Sequence, residues 1–272
     1  MSANMNSDTR LPVVVLAGAQ ADPEIEARYS VKNPAEVPIA GKMMAQHVID
    51  ALKTSKYVGT IRIVGNIHCE GVSEVIQPAS SLIENLAAGL NACDPEVDGR
   101  RVLIAASDIP LLTPEAVDDF IERCGDLQAG FYYAIVSKEE NEKSFPGMRR
   151  TYAKLSEGSF TGGNLFIMDS DFLTTNGDLI REILGARKSV PRLARLVGIG
   201  TLIRLIIAQV VWPGALNLAR LEKTAGRILR MRVKAVVTPF PEIGADIDDI
   251  EQIQFAEEAL ANVQRPTSNV QP

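Results

Sequence analysis

The chain has 272 residues, 46% hydrophobic and 23% charged, which is enough apolar material for one sizeable core. A formal net charge of -6 argues against a general nucleic-acid-binding surface. Three widely spaced cysteines and only two histidines exclude a disulfide framework and a cysteine-type zinc site, leave histidine-rich metal sites and a Ser-His-Asp triad little support, and suit a reducing cytoplasm.

Residues 1–10 are polar, lack the apolar core of a signal peptide, and read as a flexible lead. Leu11 to Leu16 is an apolar run expected to form a buried strand, and Ala17, Gly18 and Ala19 after it leave room for a ligand to approach the backbone. Residues 20–38 are polar and proline-bearing and read as a long loop. From Lys42 the pattern turns helical, with Met44, Val48, Ala51 and Leu52 on one face and His47 as a packed neighbour. Ile61, Ile63 and Val64 predict a second strand and Val75–Ile76 a short third. Ser81 and Glu84 form a Ser-x-x-Glu capping box ahead of Leu82, Leu86 and Leu90.

The next stretch organises the chain. Val102, Leu103 and Ile104 lack polar alternation, as a strand covered on both faces does. Asp108 falls where that strand stops, and Pro110 cannot donate to a ladder. Thr113 and Pro114 then read as an N-cap and first helical residue of a helix through Phe120 and Ile121, ended by Gly125. Ala129 to Val136 is a further expected strand, and Lys138 to Arg150 a charged exposed loop, whose Arg149 and Arg150 read as solvated, with steering of an anionic acceptor as the alternative. Thr151–Leu155 and Asn164–Met168 are expected strands, with Thr161, Gly162 and Gly163 leading into the second.

Helical patterns dominate an insertion at about residues 176–232, in Leu179–Leu184, Pro191–Val197, Thr201–Val211 and Leu216–Met231. The apolar stretch at residues 196–216 is interrupted by Arg204, Gln209 and Pro213, and its helix is shorter than the ~20 apolar residues a membrane span needs. It reads as buried or interface-forming, with homodimer or membrane-surface contact left open. Lys234 to Val237 returns to strand. A last helix carries Ile250, Ile253, Ala256 and Leu260 inward; Asp248 with Glu251 reads as its cap, so Asp246 is the better metal candidate. Residues 264–272 form a loose tail. Strand–helix alternation implies one α/β domain over residues 11–263, with helices on both faces of a mostly parallel sheet.

In such a sheet the loop after Leu16, the Ser80–Ser81 helix start, the Asp108 turn and the Asp246/Asp248 pair reach the same edge, where open α/β sheets bind ligands. They supply backbone N–H groups, a helix N-terminus and carboxylates, the parts that a nucleoside triphosphate and its cation require. Carboxylates without histidine or thiolate favour Mg²⁺ or Mn²⁺ over zinc.

Leu16-Ala17-Gly18, Val37-Pro38-Ile39-Ala40-Gly41-Lys42, Ser81 with Glu84-Asn85, Ser107-Asp108-Ile109-Pro110-Leu111-Leu112 and Asp246-Ile247-Asp248 resemble the MobA-like NTP transferases, over roughly residues 11–175 and 232–260. The resemblance implies a three-layer, Rossmann-like, mixed but mostly parallel sheet, the nucleotide-diphospho-sugar transferase (GT-A) fold. It implies a Mg²⁺- or Mn²⁺-dependent nucleotidyltransferase that moves an NMP from an NTP to a phosphate or hydroxyl of a small molecule and releases pyrophosphate. Asp108 and Asp246 would then hold the metal, with Asp108 catalytic. Leu16, Ala17, Gly18, Ala19 and Ser107 would line the nucleotide, and Ser81 and Asn85 would lie near base or ribose. Thr161, Gly162, Gly163 and Asn164 fall where the family often contacts the acceptor or the nucleotide sugar. Ala19-Gln20-Ala21 stands where the family loop carries further glycines and an Arg-Met-Gly before a phosphate-binding lysine, for which Lys32 and Lys42 are the candidates here. The other expectations are a glycosyltransferase using a nucleotide sugar on the same fold, and a non-catalytic nucleotide-binding or scaffolding protein.

Overall fold

The computed structural model describes residues 10–186 and 216–264. The polar lead, the end of the tail, the expected helices Pro191–Val197 and Thr201–Val211, and nearly all of the 196–216 contact surface lie outside the described residues. Among the described residues, no helix is long and apolar enough to cross a membrane.

Eight strands form one sheet. They are β1 (Leu11–Leu16), β4 (Val58–Val64), β5 (Glu74–Ile76), β6 (Arg101–Ala106), β7 (Phe131–Ser137), β8 (Ala153–Leu155), β9 (Gly158–Asp169) and β10 (Val233–Thr238). The order is β10-β7-β9-β6-β1-β4-β5, with β8 paired to β9. Strands β5, β4, β1 and β6 run parallel, as do β7 and β10, while β9 is antiparallel to both β6 and β7. The sheet is therefore mixed, and the first residues of β9 lie at the edge where β6 and β7 end.

Both faces are covered. Val13, Val15, Leu103 and Ala105 face α2 (Met44–Thr54) and α4 (Pro114–Cys124), where Val48, Leu52, Val117 and the fully buried Phe120 complete the core. Val14, Val102 and Ile104 face the other way, toward α3 (Leu82–Asn91), Phe172 of α6 (Phe172–Ala186) and Leu229 of α7 (Leu218–Leu229). This two-sided burial is why the Val102–Ile104 run carries no polar alternation. A smaller cluster joins Ile25 of α1 (Pro23–Tyr29), Ile39 of the β2 (Pro38–Ile39)/β3 (Lys42–Met43) hairpin, Ile247, and Ile253 of α8 (Ile250–Gln264).

Several local expectations change. The stretch read as one loop before residue 38 contains α1, because Asp22 accepts a bond from the Glu24 N–H at 2.9 Å, Pro23 opens the turn and Ile25 gives it a buried contact. The charged stretch from Lys138 begins with a helix, α5 (Lys138–Ser144), capped by Ser137 and anchored by the wholly buried Asn141. Helix α2 starts at Met44, since Lys42 and Met43 belong to the hairpin. Helix α6 starts at Phe172, earlier than its Thr-Thr-Asn-Gly content suggests; Phe172 stacks on Phe131 at 5.4 Å between centroids, and packing overrides propensity. Thr161, Gly162 and Gly163 are not a lead-in turn but lie inside β9, where Gly162 makes room for the Tyr133 hydroxyl and Gly163 for Ile243.

Helix α3 packs closely on β1 through Gly89, where a Cβ would overlap the Val14 side chain and crowd Val64. Gly89→Ala gains about 1 kcal/mol in helix propensity and loses about 1–3 kcal/mol to overpacking. We expect the clash to win, lowering the urea midpoint without changing the slope; a raised midpoint would contradict this packing.

Candidate active site

Three backbone bonds draw the candidate residues to one edge. The Ser107 N–H donates to the Leu16 carbonyl at 3.2 Å, so the segments leaving β1 and β6 run side by side. The Ile247 N–H donates to the Asp108 carbonyl at 2.8 Å, fixing the segment before α8 against the Asp108 turn. The Ala17 N–H donates to the Val64 carbonyl at 2.9 Å, carrying β1 one residue beyond its strand. Ala245 and Ile247 are buried, and Asp246 and Asp248 alternate with them to face the other way.

Asp108, Asp246 and Asp248 interact through charge. Burial first, and then the Asp246 and Asp248 carboxylates, push the Asp108 pKa up to about 7. Its Oδ1 is buried and has no hydrogen-bond partner. Burial also opposes the ionisation of Asp246, but an ion pair with Arg150 and a 3.0 Å bond from the Asn164 amide outweigh it and hold Asp246 below the ordinary carboxylate value. Asp248 is raised by burial and by Asp246. Asn164 also donates to the Ile243 carbonyl at 3.3 Å, so it orients Asp246. Tyr133 stands near this group; burial and the Asp246 charge raise its pKa, and Arg150 opposes them.

The loop after β1 returns on itself. The Asn33 amide donates to the Ala17 carbonyl at 2.6 Å and the Ala21 N–H to the Lys32 carbonyl at 2.9 Å, so exposed Lys32 sits at the base of the loop. Gly18 lies against Asn85, whose amide nitrogen a Cβ at position 18 would strike. Asn85 is buried and accepts from the Ala79 N–H at 2.6 Å, tying the segment before α3 to the helix. Ala19 is exposed beside it. Ser81 caps α3 by accepting from the Glu84 N–H at 3.3 Å, while the Glu84 carboxylate takes the Ser80 hydroxyl at 2.6 Å. Lys42 is engaged by Asp50.

The structure thus brings together Leu16, Ala17, Gly18, Asn85, Ser107, Asp108, Asn164 and Asp246, and it differs from expectation in particulars. The last helix is capped by Asp249, which accepts from the Gln252 N–H at 2.8 Å, and not by Asp248 with Glu251. Asp248 is thereby left to join the carboxylates. Thr161 and Gly162 line an apolar cavity of about 300 Å³ beneath α7. Arg150 is largely covered at the site, whereas a charged run reads as solvated. The Ala245–Asp248 alternation carried a legible signal for Asp248; nothing in the sequence marked Asn33.

Hard oxygen donors and an unpartnered buried carboxylate oxygen suit Mg²⁺ or Mn²⁺. Among the described residues, no three His, Cys, Asp or Glu side chains are arranged as a ready metal cage.

A mixed sheet with one reversed strand and paired carboxylates at its carboxyl edge defines a nucleotidyltransferase-type α/β protein. The chain belongs to the MobA-like NTP transferase domain family, whose model matches residues 13–231. The match includes the residues between β9 and β10, which the resemblance read from the sequence left out, and ends before β10 and Asp246. Family membership makes the chain an enzyme of the nucleotidyltransferase class, moving an NMP from an NTP. A hypothetical transferase from Thermus thermophilus is 36% identical, over 90% of this chain and 100% of that one, with a TM-score of 0.79. The CMP:2-keto-3-deoxy-manno-octonic acid synthetase complexed with CTP shares the fold at 13% identity, over 94% and 100% of the two chains, with a TM-score of 0.55. The 4-diphosphocytidyl-2C-methyl-D-erythritol synthase from Anaerococcus prevotii DSM 20548 does so at 12% identity, over 94% and 99%, with a TM-score of 0.54. No curated protein matches the chain.

Asp108 ionises near 3.8 without its folded surroundings and near 7 within them. The folded state therefore retains a proton between those values. Stability present below about pH 4 is lost as pH rises toward about 7, by up to about 4 kcal/mol. Urea unfolding in chelator should show this decline in wild type and a flatter profile in Asp108→Asn. Equal slopes would contradict the placement of Asp108.

Proposed function

We propose that the chain transfers the NMP to a phosphate or hydroxyl oxygen of a small-molecule acceptor and releases pyrophosphate. The observation that carries this reading is the buried, unpartnered Asp108 Oδ1 beside Asp246, at the edge where Gly18 of the β1 loop packs on Asn85 of α3. In the reaction the acceptor oxygen bonds to the α-phosphorus, the bond from that phosphorus to the bridging oxygen breaks, and its electron pair leaves with pyrophosphate.

Asp108 and Asp246 are the residues that would hold Mg²⁺ or Mn²⁺, which when bound offsets phosphate charge and polarises the oxygens around the α-phosphorus. Asn164 holds Asp246 in orientation. Gly18 and Ala17 offer backbone close to the triphosphate, with Leu16, Ala19 and Ser107 alongside. Asn85, and Ser81 at the α3 N-terminus, are assigned to base or ribose. Of the two lysines, Lys32 is the phosphate ligand we favour, because its carbonyl is tied to the β1 loop while the Lys42 ammonium is held by Asp50. Of the residues read for the acceptor side, Asn164 reaches the carboxylates, whereas Thr161 and Gly162 line the cavity beneath α7 and Gly163 packs on Ile243. Little covalent work falls on the protein; positioning and charge carry the step.

Asp108→Asn should keep the fold by circular dichroism and lower pyrophosphate release by about 10³-fold or more. Retained turnover would remove Asp108 from the mechanism. Lys32→Ala should raise KM for the triphosphate by about tenfold while Lys42→Ala stays within about twofold; the reverse order would exchange the two assignments.

A further inference from the structure

Arg149 and Arg150 are adjacent in sequence and differ sharply in surroundings. Arg149 points outward to Glu251 at 3.7 Å, with both side chains at least 80% exposed. The Arg150 side chain is 11% exposed and its guanidinium sits on Asp246 Oδ1. The backbone that delivers it is anchored on both sides. Phe145 meets Phe255 of α8 edge-on at 5.7 Å, Met148 packs in the same cluster, and the Tyr152 hydroxyl accepts from buried Asn141 at 2.8 Å.

Arg150 is incompletely satisfied where it lies. Its Nε is buried without an acceptor, as Asp108 Oδ1 is buried without a donor or cation. Leaving such groups unpaired is costly, so the arrangement has kept capacity for a further ligand that accepts from a guanidinium and brings a cation to the carboxylates. A phosphate group complexed with a divalent cation does both, and guanidinium binds phosphate in a two-pronged fashion. Among the described residues, Arg150 is also the one cation in ion-pair contact with Asp246, and it offsets three neighbouring carboxylates.

We propose that Arg150 is a resident counter-cation: it neutralises Asp246 while no divalent cation is bound, and turns its guanidinium to the nucleotide's phosphate oxygens when one is. This rests on the reading of Asp108 and Asp246 as cation ligands. Arg150 and the metal then compete for Asp246 in the nucleotide-free enzyme and cooperate in the ternary complex. The triphosphate favours metal entry because it gives the displaced guanidinium a new acceptor.

The test is Mn²⁺ binding to the full chain by electron paramagnetic resonance, with and without nucleoside triphosphate. Arg150→Gln should tighten Mn²⁺ binding to the nucleotide-free protein by about tenfold and weaken binding of the Mn²⁺–triphosphate complex. Arg150→Lys keeps the charge without the fork. It should hold nucleotide-free Mn²⁺ affinity within about twofold of wild type while raising KM for the triphosphate. Unchanged or weaker Mn²⁺ binding in Arg150→Gln, or an equal shift in both variants, overturns the exchange and leaves the nucleotidyltransferase reading standing. Absence of Mn²⁺ binding in every protein, even with triphosphate, overturns the metal reading and this inference with it.

Discussion

A carboxylate oxygen that is buried and unpartnered is the constraint around which the site is built. Asp108 is held there by its neighbours: β6 is covered on both faces, Ile109 behind it is fully buried, and the Asp108 carbonyl is bonded by Ile247. Burial and two further carboxylates drive Asp108 toward its neutral form, while Arg150 and Asn164 keep Asp246 charged. The two carboxyl groups are thus pushed apart in proton affinity although the main chain fixes them side by side. In the proposed complex a hard cation relieves this imbalance, and the triphosphate that accompanies it supplies the acceptors Arg150 lacks.

The reversed strand makes this geometry available. Because β9 runs against β6 and β7, its early residues reach the carboxyl edge of the sheet, and Asn164 arrives opposite Asp246. A parallel strand there would begin at the opposite edge. The β-carbons missing at Gly162 and Gly163 let Tyr133 and Ile243 close on the two faces of β9, packing the strand beside the site without a turn. At the other side of the site, Gly18 meets Asn85 at a distance no side chain allows, which gives the Leu-Ala-Gly motif a packing reason.

Much of the frame was legible because it is local. The apolar run at Val102–Ile104, the Thr113–Pro114 cap and the Gly125 stop reflect backbone and burial rules that act within a few residues, and the structure follows them. Short elements built on long-range contacts were not legible: α5 depends on buried Asn141, and the start of α6 depends on Phe131 from another strand. The Asp108 turn and the paired aspartates stood out by position. The role of Arg150 did not, since only the fold separates it from Arg149. Asp248 reads as a cap by its spacing to Glu251, but Asp249, one residue later, serves that purpose with Gln252.

The most direct measurement is equilibrium binding of ATP, CTP, GTP and UTP to wild type and Asp108→Ala, each with and without Mg²⁺. The account predicts that wild type binds at least one triphosphate in a Mg²⁺-dependent manner, and that Asp108→Ala, still folded, loses that dependence. Binding that is indifferent to Mg²⁺, or that survives unchanged in Asp108→Ala, would contradict the assignment of the buried carboxylate to the metal–nucleotide complex.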